Sequence, residues 1–118
     1  MLTERSVLFG AVVVATTELD AEPFPFQDAS GGFIHVPASE GTVTLTFYVS
    51  DNDHHVDDVS EPPTFQLAKT YGGAVITVTL DGGESCEIHP SLFSACQFKI
   101  VASAVSAPGI KYKITAKS

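Results

Sequence analysis

The chain has 118 residues, with six Lys and Arg set against 14 Asp and Glu, for a net charge of −8. Such a charge repels phosphate backbones and anionic membranes, which argues against nucleic-acid or membrane partners, and no stretch has the roughly 18 consecutive apolar residues of a spanning helix. At 44 % hydrophobic and 17 % charged, the composition is that of one folded domain, and its wealth of Thr and Val favours strands over helices.

The first element is the apolar run "SVLFGAVVVA" (Ser6 to Ala15). It has the length of a signal-sequence core, but "MLTER" ahead of it carries no net positive side-chain charge. It reads as a buried strand or as an arm packed on a neighbour. The stretch "TTELDAEPFPFQDASGG" (Thr16 to Gly32) is acidic and has no alternation. It reads as an extended connector whose "PFPF" is polyproline-like, with Phe24 and Phe26 facing a groove of the same domain or of a neighbour. Residues 1–30 are therefore expected to form an N-terminal strand or extended arm, and residues 31–118 the folded domain. In the arm reading, Val12, Val13, Val14, Phe24 and Phe26 are the partner contacts.

Period-two patterns follow. In "TVTLTFYVS", Val43, Leu45, Phe47 and Val49 share a face, opposite Thr44, Thr46 and Tyr48. In "AVITVTL", Ile76, Val78 and Leu80 share a face. Phe98, Ile100 and Ala102 alternate with Lys99 and Val101. In the last strand, "GIKYKITAKS", Ile110, Tyr112, Ile114 and Ala116 point in, and Lys111, Lys113, Thr115 and Lys117 point out. Outward lysines discourage pairing between sheet edges, so this strand is expected at an edge. Shorter strands are "GFIHV", "TFQLAK" and "SCEIH". "LDGGE" is a tight hairpin signal, and "HPSLFSA" a helical turn that closes one end of the core with Leu92 and Phe93. The expected fold is all-β: a single antiparallel β-sandwich, jelly-roll-like, of about seven to nine strands.

The most polar stretch is "SDNDHHVDD" (Ser50 to Asp58). Asp51, Asn52, Asp53, Asp57 and Asp58 supply the oxygen ligands that Ca²⁺ prefers, and His54 and His55 are of the type that binds Zn²⁺. The glycine and final glutamate of an EF-hand loop are missing, and no spaced ligands surround the histidines. An exposed polar loop after the strand ending at Ser50 is the competing reading. Asp51, Asp53, Asp57 and Asp58 remain the Ca²⁺ candidates.

Cys86 and Cys96 match no zinc or redox spacing. Two small buried side chains is one reading, a disulfide closing a short loop the other. Alternation puts Cys86 and Ile88 inward and Glu87 and His89 outward, which separates the thiol from the nearest imidazole. Ser85 lacks the G-x-S-x-G setting, and the acids lie in loops or on outward positions. No catalytic residue and no cofactor are expected, and His35 reads as a surface residue of its strand. Small sandwiches often bind sugars on an aromatic platform. This chain offers no Trp and only Tyr48, Tyr71 and Tyr112.

The order "GGFIHVP", "TVTLTFYVS", a polar loop, "AVITVTL", "EIHPSLFSACQFKIVAS" and a lysine-rich final strand resembles small β-sandwich virion proteins of tailed bacteriophages and prophages. The matching positions are Gly32, Val36 and Pro37, then Leu45 to Ser50, then Pro90, Leu92, Phe93, Lys99, Ile100 and Val101. Ser94 stands where a glycine is common in that pattern. The likeness covers about residues 31–118 and concerns core and turn positions, not chemistry. It implies a structural protein located in the virion, foremost a capsid decoration (cement) protein, with a tail or neck component second. Its partners would be the major capsid protein or other virion proteins, and a homo-oligomer, a trimer, would suit the role. The competing expectation is a small secreted module that binds a glycan or cell surface, with Ca²⁺ as an aid.

Overall fold

A computed structural model describes residues 7–24, 29–50, 65–94 and 97–117. Among these lie eight strands: β1 (Val7–Val13), β2 (Gly31–His35), β3 (Val43–Ser50), β4 (Phe65–Leu67), β5 (Thr77–Leu80), β6 (Ser85–Glu87), β7 (Gln97–Ala102) and β8 (Lys111–Lys117). A 3-10 turn spans Pro90–Ser94. The strands form two antiparallel sheets, and the chain is an all-β sandwich. The first sheet has the order β1-β8-β2-β6. In the second, β3 is central, with β7 on one side and β4 and β5 on the other. The chain passes between sheets after β2, β5, β6 and β7, a jelly-roll-like winding.

The alternating sequences do what their period requires. Val43, Leu45 and Phe47 of β3 and Phe98, Ile100 and Ala102 of β7 are buried from one sheet. Ile34, Tyr112, Ile114 and Ala116 meet them from the other. Leu92 in the 3-10 turn closes one end at 1 % exposure.

β4 and β5 are two pieces of one line. Phe65–Leu67 pairs with Ser50–Tyr48, and Thr77–Leu80 continues along Thr46–Val43. Between them the chain leaves the sheet as a small finger. Lys69 bridges to Val75, and the Thr70 amide donates to the Ala74 carbonyl at 2.7 Å. Gly73, at φ 88°, makes the turn that a residue with a Cβ resists. Tyr71 at the tip is fully exposed.

Two expectations are corrected. β8 is an interior strand, between β1 and β2, not an edge. Its lysines project from the sheet face, perpendicular to the direction in which strands pair, so they say nothing about its edges. The arm reading also gives way over residues 7–24. β1 pairs with β8 of the same chain along its whole length, from Val7↔Lys117 to Val13↔Lys111. Val12 and Val14 are buried in the chain's own core, at 2 % and 1 %, while Val13 is half-buried. Phe24 stacks on Phe98 with ring centroids 4.6 Å apart and meets Phe93 edge-on at 5.8 Å. An apolar run beside an open edge of its own sheet buries itself there with no association step. Phe26 lies outside the described residues.

The connector is held along the side of β7. The Ala102 amide donates to the Ala15 carbonyl at 2.9 Å, and the Phe24 amide to the Phe98 carbonyl at 2.7 Å.

Candidate functional site

The outer face of the first sheet collects three of the chain's six basic side chains. Because β8 alternates, Lys111, Lys113 and Lys117 stand exposed on the side opposite buried Tyr112, Ile114 and Ala116. These are half of the six Lys and Arg of the molecule. On neighbouring β2, Phe33 is paired with Thr115 and is 47 % exposed. Glu87 of β6 stands opposite Phe33. Among the described side chains, the face is a basic strip that carries the exposed ring of Phe33 with Glu87 beside it.

At its centre a histidine joins three strands. His35 Nδ1 lies 2.6 Å from Ser85 Oγ on β6, and His35 Nε2 lies 2.9 Å from Thr115 Oγ1 on β8. A neutral imidazole donates from one nitrogen and accepts at the other, so two hydroxyls satisfy it without a charge. The Ser–His contact has the spacing of a nucleophile and base. The third partner, however, is a hydroxyl rather than an orienting carboxylate. β2 lies between two paired strands, so its backbone N–H groups serve the ladders and are not aimed at a substrate oxygen. The trio acts as a brace across β6, β2 and β8.

Asp51, Asn52, Asp53, His54, His55, Asp57 and Asp58 lie outside the described residues, as does Cys96. Among the described residues, no group of three His, Cys, Asp or Glu side chains is placed to hold a metal. Cys86 is a half-buried free thiol at the rim of the core and donates to the Glu87 carbonyl at 3.3 Å.

Clefts also open at other places among the described residues. One, of 480 Å³, lies between the end of β1 and the loop before β8, lined by Val13, Val14, Asp20, Val105 and Pro108. The second, of 230 Å³, lies beside β4, between Leu67, Lys69, Ile76 and Leu92. It sits at the foot of the Tyr71 finger, where Leu67 and Val75 are each 38 % exposed.

Sequence reasoning placed the lysines outward and His35 on the surface of its strand. It missed the brace, because Ser85, His35 and Thr115 meet only through strand register. It also missed the finger, whose signal was an aromatic residue directly before "GG" in "KTYGGAV". No protein-family model, curated protein or solved structure matches the chain.

Proposed function

We propose that this chain is a non-enzymatic structural protein of a virus particle, most specifically a capsid decoration protein that seats the outer face of the first sheet on the particle. The observation that carries the docking mode is the lysine strip. A molecule of net charge −8 that gathers Lys111, Lys113 and Lys117 on one flat, hydrogen-bonded face is polarised. It approaches an acidic surface with that face foremost and turns its acidic remainder to water. Phe33 adds an apolar anchor within the strip. The His35 brace keeps the face rigid, which lowers the ordering cost of docking. The particle itself is read from the "GGFIHVP" to "EIHPSLFSACQFKIV" order of core and turn positions.

The test is co-sedimentation of the purified chain with phage heads and, separately, with tails. Stoichiometric binding to heads is expected, weakened by salt and abolished in a K111E/K113E/K117E variant that keeps its melting temperature. Binding to tails alone would move the role to a tail or neck component. Binding to neither would overturn the proposal. A second reading, a glycan or cell-surface binding module, is favoured by the fully exposed Tyr71 at the finger tip. A glycan array probed with the wild type and with Y71A decides it.

A further inference from the structure

The free edge of β1 has a pattern that fits a second copy of itself. β1 ends the first sheet, and among the described residues no strand lies beyond it. Its backbone groups alternate in direction. The Val14 amide points toward β8 and donates to the Ile110 carbonyl at 3.0 Å. Val13 points the other way, and both of its groups are taken by Glu22. The Val13 amide donates to Glu22 Oε1 at 2.9 Å, and its carbonyl accepts from the Glu22 amide at 3.0 Å. By the two-residue repeat, Val7, Phe9 and Ala11 share Val13's outward direction, while Leu8, Gly10 and Val12 pair with β8.

We infer that two copies associate edge to edge through β1, antiparallel about a two-fold axis at Phe9, to make one continuous eight-stranded sheet. In this register Val7 faces Ala11 of the second copy, Phe9 faces Phe9, and Ala11 faces Val7. Every outward amide and carbonyl of the three residues finds a partner. Glu22 stays on Val13 and ends the pairing on each side. The other simple register, centred on Gly10, sets Val13 against Val7 and would have to displace Glu22.

Apart from Glu22 on Val13, the edge carries none of the usual guards among the described residues. From Val7 to Ala15 there is no charged residue, no proline and no bulge in the pairing with β8. A second copy is favoured over an unrelated extended segment because the open groups are symmetric about their own centre. Each copy carries −8, so the pairing opposes a general repulsion, and added salt strengthens it. Docking through the lysine strip has the opposite salt dependence, so the two contacts are separable by experiment.

The test combines sedimentation velocity with amide hydrogen exchange across a concentration series. The wild type is expected to form dimers more readily at higher salt. Protection of the Phe9 and Ala11 amides should rise with protein concentration. The Gly10 and Val12 amides should stay protected throughout. In A11P the lost N–H faces away from β8, so the fold should be retained, and self-association should weaken about 30-fold from two missing hydrogen bonds per dimer. If A11P melts early, the wild-type exchange pattern decides alone. A chain that stays monomeric at millimolar concentration overturns the inference. So does a dimer whose Phe9 and Ala11 amides exchange at the same rate at every concentration.

Discussion

Lys99 reaches across from β7 to clasp Glu18. Its Nζ lies 3.0 Å from Glu18 Oε1 and 3.1 Å from the Glu18 backbone carbonyl, and 4.3 Å above the centre of the Phe65 ring. Alternation directs Lys99 away from the core, yet the residue is only 9 % exposed because the connector and Phe65 cover it. One ammonium thus ties the connector, β7 and β4 together. K99A should cost about 1–3 kcal/mol, from charge-assisted hydrogen bonds, the ring contact and a half-buried Glu18 carboxylate left without its cation. K99M keeps the aliphatic stem and should lose less. Urea unfolding of both variants checks the order, and equal stability of wild type and K99A would show that the clasp contributes nothing.

Phe24 distinguishes a self-packed connector from an arm meant for a neighbour. Stacked on Phe98 and 6 % exposed, it fills the chain's own core. F24A should therefore destabilise the isolated monomer by about 3–5 kcal/mol, the range for a buried aromatic replaced by Ala. Denaturant unfolding at low protein concentration is the measurement. A variant as stable as the wild type would return Phe24 to the partner-contact role.

Where one strand's own residues carried the information, the fold was legible. Alternation in β8 named the buried side chains in advance, down to Tyr112 and Ala116, and in β3 it named Val43, Leu45 and Phe47 but not the end of the strand, where Val49 is half-buried and Ser50 is buried. β1 was ambiguous because "SVLFGAVVVA" is apolar throughout, and continuous runs do not say what covers them. Its partner, β8, lies about a hundred residues away in sequence, as Val7↔Lys117 shows. The same gap hid the His35 brace, since Ser85 and Thr115 are 50 and 80 positions from His35. β4 and β5 read as separate strands because their collinearity resides in β3. The lysines of β8 were correctly aimed and wrongly interpreted, as guards of an edge rather than as the charge of a face.

The three glycines 41, 82 and 83 should rank by their surroundings. A Cβ on Gly82 would overlap the Glu40 carbonyl, because the β5–β6 hairpin packs directly under the β2–β3 loop. Gly83 has open space around it but sits at φ 88°. Gly41 has open space and no positive φ. G82A should cost more than about 2 kcal/mol, since two backbones must separate. G83A should cost about 1–2 kcal/mol for the left-handed conformation. G41A should be neutral, or stabilising by about 0.5 kcal/mol through a less free unfolded chain. Melting temperatures of the three variants test the ranking, and a tolerated G82A would mean that the loop and hairpin are less tightly apposed.

Tyr112 gives the fold an alkaline limit. Its side chain is fully buried, and its hydroxyl has no hydrogen-bond partner among the described residues. Burial first, and the Glu40 carboxylate second, push its pKa from 10.0 up to about 12. The folded chain therefore holds the phenolic proton after the unfolded chain has released it. Stability from this group is complete below the unfolded value and falls as pH rises through the folded one. The loss should be on the order of 2–3 kcal/mol between about pH 10 and pH 12. Y112F has no proton to lose. Below that window it should match the wild type or exceed it by about 1 kcal/mol, because it removes a buried hydroxyl that has no partner to give up. The quantity to follow is the stability difference between the two proteins, which cancels the titration of every group they share. It should widen steadily in favour of Y112F as pH rises through the window. Parallel curves would mean that the phenol reaches water or finds an acceptor in the folded state.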